Sequence, residues 1–177
     1  MLKRIVIIGP ESTGKSTLCE QLAQQYNTLW CPEYARSYLL RHGKQYSYDD
    51  LLTIAKGQLL LEDEYTAKAA EQSLLLIDTD MYVMKVWCEF VFGKCHQWIL
   101  DRITERKYDL YLLCKPDLPW VRDELREYPD DERRIKLYHF YKDLLVNQST
   151  PWVEISGNYE ERFQKAKDAV SELLQIK

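Results

Sequence analysis

Gly9-Pro10-Glu11-Ser12-Thr13-Gly14-Lys15-Ser16 fits the pattern G-x-x-x-x-G-K-[ST]. The run before it, Ile5-Val6-Ile7-Ile8, is apolar without alternation, which predicts a strand covered on both faces as in a parallel sheet. The stretch after it carries Leu18, Leu22 and Tyr26 four apart, which predicts a helix from Lys15 to about Tyr26 with one apolar face. Strand, turn and helix in that order give the pattern a mechanical meaning. Glycines let the backbone curl so that successive N–H groups face one anion, and the helix N-terminus adds its partial positive charge at the same point. In such a cradle Lys15 reaches the β and γ phosphates of ATP, and Ser16 places its hydroxyl on Mg²⁺. Average composition produces the bare pattern in roughly one chain of this length in two hundred, and the strand–helix context makes a chance match rarer still. Gly9, Glu11, Ser12, Thr13, Gly14, Lys15, Ser16 and Thr17 are therefore the expected nucleotide-binding residues.

Working outward, Thr28 to Cys31 suits a short second strand, and Tyr34 to Arg41 a helix stopped by Gly43. Ser47 followed by Tyr48-Asp49-Asp50 predicts an N-cap with acidic first-turn residues, opening a long helix towards Ala70 that Gly57 weakens without ending. Leu74-Leu75-Leu76-Ile77 is a second uninterrupted apolar run and predicts a central strand. It stops at Asp78-Thr79-Asp80, where a sheet presents polar groups at its carboxyl edge. Helices over Met81–Phe92 and Cys95–Glu105, parted by Gly93, precede a strand over Tyr108–Cys114. Pro116 and Pro119 then break the chain, and the charged stretch from Asp117 to Asp131 is the expected mobile lid. An amphipathic helix over Arg133–Val146, a short strand over Trp152–Ile155 and a closing helix over Tyr159–Leu174 complete the chain. This alternation predicts an α/β sandwich with three layers and a mainly parallel sheet, in a single domain spanning residues 1–177.

Several side chains outside the glycine-rich turn carry chemistry. Asp78 ends a buried strand and is the first choice to hold Mg²⁺ beside Ser16. Asp80 either shares that edge or caps the helix that starts at Met81. Glu33, at the carboxyl end of the second strand, either accepts a proton from an attacking hydroxyl or complements a helix dipole. Arg36 on the same helix binds substrate or phosphate, or pairs with a surface acid. Arg122 and Arg126 sit in the proline-bounded segment, from which a closing loop brings guanidinium groups onto a transferring phosphoryl, and Arg126 is the better placed. Trp30, Tyr34, Trp87 and Trp120 are large enough to stack on a planar base, a role that competes with simple core packing.

Composition restricts the partners. Apolar residues form 46% of the 177, charged residues 29%, and the formal net charge is -4. A broad positive field for nucleic acid or an anionic membrane is not expected, so any phosphate site must be local. The five cysteines are odd in number and show no C-x-x-C pair, and the three histidines are scattered. They are expected to be reduced core thiols and non-metal histidines in a cytoplasmic protein.

Taken together, these motifs resemble the ribosylnicotinamide kinase domain of NadR-type NAD-salvage proteins. The likeness runs through Pro32-Glu33-Tyr34-Ala35-Arg36, Ala55-Lys56-Gly57-Gln58, Ile77-Asp78-Thr79-Asp80, Tyr108-Asp109-Leu110-Tyr111-Leu112-Leu113, Pro119-Trp120-Val121-Arg122-Asp123, Leu125-Arg126 and Ile155-Ser156-Gly157, nearly the whole chain. It implies a nucleotide-kinase-like P-loop fold and ATP-dependent phosphorylation of nicotinamide riboside. Lys15 and Ser16 would serve ATP and Mg²⁺, Glu33 and Asp78 the reaction centre, and Trp120, Asp123 and Arg126 the lid. Glu33, Tyr34, Arg36, Asp80, Trp120 and Asp123 are the expected acceptor-binding residues, and Lys15, Glu33, Asp78 and Arg126 the expected catalytic ones. Such domains often follow an adenylyltransferase domain, whereas this chain begins at the P-loop strand, so a separate adenylyltransferase is expected to take the product. The lid reads Arg122-Asp123-Glu124 where a glycine often follows the aspartate. A deoxynucleoside or nucleoside-monophosphate kinase, or an ATP-binding regulatory protein that docks a partner through residues 117–131, would use the same P-loop.

Overall fold

The computed structural model of the chain describes residues 1–175. Five strands, β1 (Lys3–Ile8), β2 (Trp30–Cys31), β3 (Leu74–Asp78), β4 (Leu110–Cys114) and β5 (Trp152–Ile155), form one sheet in the order β2-β3-β1-β4-β5. Every pairing is parallel. The P-loop strand β1 is the central one, flanked by β3 and β4. The run from Leu74, expected at the centre, is interior but one place off it.

Both faces of the sheet are covered, which is why its strands lack alternation. On one face Ile5, Ile7, Leu76 and Leu112 pack under α1 (Lys15–Tyr26) and α7 (Tyr159–Gln175), which supply Leu18, Leu22, Ala166 and Val170. Leu22 is fully buried there, so its truncation to Ala is expected to cost about 2–5 kcal/mol. On the other face Val6, Ile8, Ile77 and Leu113 meet α4 (Met81–Phe92) and α6 (Asp131–Val146) through Val86, Leu137 and Tyr141. A further core joins α2 (Tyr34–His42), α3 (Tyr48–Lys68), α4 and α5 (Gln97–Glu105) around Ala35, Ile54, Met84 and Ile99.

Local chemistry sets the boundaries. Ser47 accepts from the Asp50 N–H at 3.2 Å and Asp50 accepts in return from the Ser47 N–H at 2.8 Å, a reciprocal cap that starts α3. Asp130 caps α6 by accepting from the Arg133 N–H at 2.8 Å, so that helix begins two residues before the expected Arg133. The α5 helix begins at Gln97 rather than Cys95, because His96 is its extended N-cap and its ring stacks on Tyr48 with centroids 3.7 Å apart. Thr28 stays outside β2, its hydroxyl held by Gln72 at 2.6 Å. Gly57 persists inside α3 for a packing reason: a Cβ there would lie 2.1 Å from Cε1 of Tyr34. All five cysteines are free, four of them buried and Cys95 half-buried. Among the described residues no helix is long and apolar enough to cross a membrane.

Candidate functional site

Beyond β1 the chain turns sharply into α1. Gly9 has φ +148°, and a Cβ at that position would lie 2.5 Å from the Cys114 carbonyl at the end of β4. Only glycine lets the turn pass so close to its neighbouring strand. Within the turn Thr13 Oγ1 and Lys15 Nζ both donate to the Pro10 carbonyl, at 2.7 and 2.9 Å.

Two buried arginines hold this turn from behind. Arg162 of α7 donates to the carbonyls of Thr13 (3.0 Å), Lys115 (2.7 Å) and Gly157 (2.8 Å) and pairs with Asp117. Arg134 of α6 donates to the carbonyls of Ser12 (3.2 Å) and Leu118 (3.0 Å). In a trans peptide the C=O and the following N–H point in opposite directions. Drawing the Ser12 and Thr13 carbonyls back onto guanidinium groups therefore aims the N–H groups of Thr13 and Gly14 the other way. Neither arginine was singled out by the sequence reading. The signal was there in a charged residue on an apolar stripe, Arg134 beside Leu137 and Arg162 beside Ala166.

The turn forms one wall of a cavity of about 250 Å³. Residues 9–17, Glu33, Arg36, Thr79 and Arg126 give it polar surface, and Trp87, Phe90, Tyr128 and Tyr141 give it an aromatic wall. That wall is fixed in place. Trp87 Nε1 donates to Tyr46 Oη at 2.9 Å, Tyr46 donates on to Glu127 at 3.1 Å, and Phe90 meets Tyr128 edge-on with centroids 5.5 Å apart. Of the four aromatics considered for stacking, Trp87 lines the cavity. Tyr34 packs its ring on Gly57, Trp30 lies at a separate surface dent, and Trp120 binds Glu11. Phe90 and Tyr141 were missed, because an aromatic on an amphipathic helix reads as core until the opposing wall is known, and Tyr128 because it lies in the charged segment before α6.

Among the expected charged residues, Asp78 is 1% exposed, and its Oδ2 accepts from Ser16 Oγ at 2.6 Å. Its Oδ1 is buried with no hydrogen-bond partner among the described residues. Burial pushes its carboxyl up, opposed by Lys15 and the Ser16 hydroxyl. A hydroxyl and a carboxylate so placed, with one oxygen free, fit a hard cation such as Mg²⁺. Glu33, half-buried at the N-cap of α2, faces the cavity. Burial, then the charge of Asp78, raises its pKa to about 7, against the pull of Lys15 and Arg36. Gln58 of α3 secures this corner by accepting from the Tyr34 N–H at 2.7 Å and donating to the Pro32 carbonyl at 3.4 Å.

Asp80 is placed away from the cavity wall. Its Oδ1 caps α4 through the N–H groups of Tyr82 (2.9 Å) and Val83 (3.4 Å), and its Oδ2 accepts from Tyr111 Oη at 2.7 Å. Of the two readings for Asp80, the geometry supplies the cap. Between these carboxylates Thr79 adopts φ +82°, rare for a β-branched residue and a mark of local strain at the strand edge. Arg36 pairs with Asp123 through two hydrogen bonds of 3.1 and 3.0 Å, so two expected acceptor-binding residues bind each other.

The chain matches the family described as "AAA domain" over residues 4–162. Among curated proteins it is 28% identical over 180 residues to the trifunctional NAD biosynthesis/regulator proteins NadR of Salmonella typhimurium and Escherichia coli. Those alignments cover 98% of this chain and 43% of each relative, so the chain spans less than half their length. Among solved structures it is similar to a NadR protein in complex with NR, with a TM-score of 0.83 and 25% identity, covering 99% of this chain and 50% of that one. A NadR protein in complex with NAD and AMP-PNP shares the fold, with a TM-score of 0.74 and 24% identity over 99% of this chain and 50% of that one. A phosphate-type cradle on a five-stranded parallel sheet and a family match across most of the length point the same way: this chain belongs to the AAA-domain family of P-loop proteins.

Proposed function

We propose that the chain is a single-domain kinase that transfers the γ-phosphoryl group of ATP to the 5′-hydroxyl of nicotinamide riboside, giving the mononucleotide and ADP. The observation that carries this reading is one cavity joining three parts: the P-loop cradle, the Glu33 carboxylate and an aromatic wall headed by Trp87. The cradle takes the phosphates, with Lys15 on the β and γ groups. The aromatic wall suits a planar base. Its likeness to NadR, solved with NR, supports that choice of acceptor.

In this scheme the acceptor hydroxyl attacks the γ-phosphorus in line, the bond to the bridging oxygen breaks, and ADP leaves with that electron pair. Glu33 orients the hydroxyl and takes its proton. Ser16 and Asp78 would hold Mg²⁺, which neutralises charge on the phosphates when bound. Arg126, in the lid over residues 117–131, supplies a guanidinium to the transferring group, and positioning and charge stabilisation do most of the catalysis. Arg36 and Asp123 serve the acceptor side by pairing the lid to α2. We assign the activity to the cytoplasm, in keeping with five free thiols, and propose that an adenylyltransferase activity consumes the product.

An ADP-release screen across nicotinamide riboside, deoxynucleosides and nucleoside monophosphates tests the proposal. Turnover stimulated by nicotinamide riboside above all others is expected. Preference for a deoxynucleoside or a monophosphate transfers the site to that kinase class, and absence of stimulation by every acceptor favours an ATP-binding regulator.

A further inference from the structure

Glu11 stands in the cradle, where its negative charge is an unfavourable neighbour for a triphosphate. Its contacts show where that charge is directed. Oε1 accepts from Trp120 Nε1 at 3.3 Å and from the Tyr128 N–H at 2.5 Å, and Oε2 accepts from the Glu127 N–H at 3.0 Å. Next to it, Ser12 Oγ accepts from the Val121 N–H at 2.9 Å. Four donors from the lid thus converge on two consecutive P-loop side chains, and three of the four are backbone N–H groups. Asp123 is fastened separately, to Arg36 on α2. Arg126 lies between these attachments, lines the cavity, and donates to the Val121 carbonyl within the lid.

We propose that Glu11 is a positioning residue that latches the lid onto the P-loop and so sets Arg126 over the transferring phosphoryl group, rather than a ligand of the nucleotide. The proposal rests on the reading of this cavity as a phosphoryl-transfer site. A carboxylate offers two oxygens to several N–H donors at once, and such charge-assisted bonds are the stronger kind. With its charge shared among lid donors, Glu11 repels the phosphates less when the lid is down than when it is up. Nucleotide binding and lid closure thereby favour each other.

Glu11→Ala, Glu11→Gln and Trp120→Phe in the full chain test this with two measurements. Amide hydrogen exchange of residues 117–131, in saturating AMP-PNP and Mg²⁺ without acceptor, is expected to quicken by at least about tenfold in Glu11→Ala, because donors bound to a charged acceptor are released. Steady-state kinetics with nicotinamide riboside are expected to show kcat lower by about tenfold or more and KM for ATP within about threefold of wild type, a loss confined to the transition state. Glu11→Gln keeps one good acceptor oxygen and falls between. Trp120→Phe removes a single donor, shifts both readouts less and in the same direction, and serves if the alanine variant does not fold. Unchanged lid exchange overturns the proposal, as does a raised KM for ATP at unaltered kcat, which would make Glu11 a nucleotide contact. If nicotinamide riboside is not the acceptor, the kinetic arm is silent for wild type as well, while the exchange arm still decides the latch.

Discussion

Ser16 Oγ donates to Asp78 Oδ2 across 2.6 Å, tying the first turn of α1 to the end of β3. Two segments far apart in sequence thus meet at one corner, which the proposed scheme gives to Mg²⁺. Asp78→Asn is expected to lower kcat by about 10²-fold or more and to raise the Mg²⁺ concentration needed for half-maximal rate, with Ser16→Ala acting in the same direction. A magnesium titration of the rate checks this. An unaltered magnesium dependence in both variants counts against the assignment.

Glu33 offers a pH signature. Its pKa near 7 means that the proton-accepting form is gained as pH rises, so kcat/KM should climb through an acidic limb around that value. Glu33→Gln should lower the rate by about 10²–10⁴-fold and remove the limb.

The same shift predicts a stability effect of definite sign. The folded chain holds the Glu33 proton more tightly than the unfolded chain, so this residue's contribution is full below the ordinary carboxylate range and is lost as pH rises towards about 7. Glu33→Gln, which cannot ionise, should therefore melt at a higher temperature than wild type at pH 8 and lose that advantage at pH 4. Thermal unfolding at the two pH values measures it.

Arg134 and Arg162 are the supports of the cradle. Arg162→Met leaves buried carbonyls without donors at about 1–3 kcal/mol for each such group. Nucleotide affinity should fall together with the denaturation midpoint, since the Gly14 amide, paired with the Thr13 carbonyl across one peptide, loses its orientation. Calorimetric titration with AMP-PNP alongside chemical unfolding reads both.

Gly57→Ala would ordinarily stabilise a helix interior by up to about 1 kcal/mol. Here the new Cβ would press into the Tyr34 ring, and the expected outcome is a loss of about 1–3 kcal/mol from overpacking, with kcat reduced because Tyr34 follows Glu33 directly. Urea denaturation gives the sign at once.

How much of this was legible beforehand follows from which interactions are local. The turn over residues 9–16, its strand and its helix depend on neighbours in sequence, and α1 runs from Lys15 to Tyr26 as its periodicity predicts. The cap at Ser47 and the strand ending at Asp78 were readable for the same reason. The supports Arg134 and Arg162 lie more than a hundred residues from the carbonyls of Ser12 and Thr13 that they hold, and nothing local marks that pairing. The aromatic wall was misjudged likewise: Trp30, Tyr34, Trp87 and Trp120 look alike in sequence, and only the packing of α4 against α6 leaves Trp87, Phe90 and Tyr141 facing a cavity. Arg36 and Asp123 were each singled out as charged candidates, but their mutual pairing is a tertiary fact.

The strand order carries a consequence for how the chain acquires its site. β1 emerges first, yet both its neighbours come much later, Lys3 beside Leu74 and Ile5 beside Leu110. That strand can take its first partner only when β3 has followed it, and its other apolar edge stays open until β4 arrives; such distant pairings slow folding. Nascent chains released before Leu110 should lack nucleotide protection altogether, and the cradle should appear in one step once β4 docks.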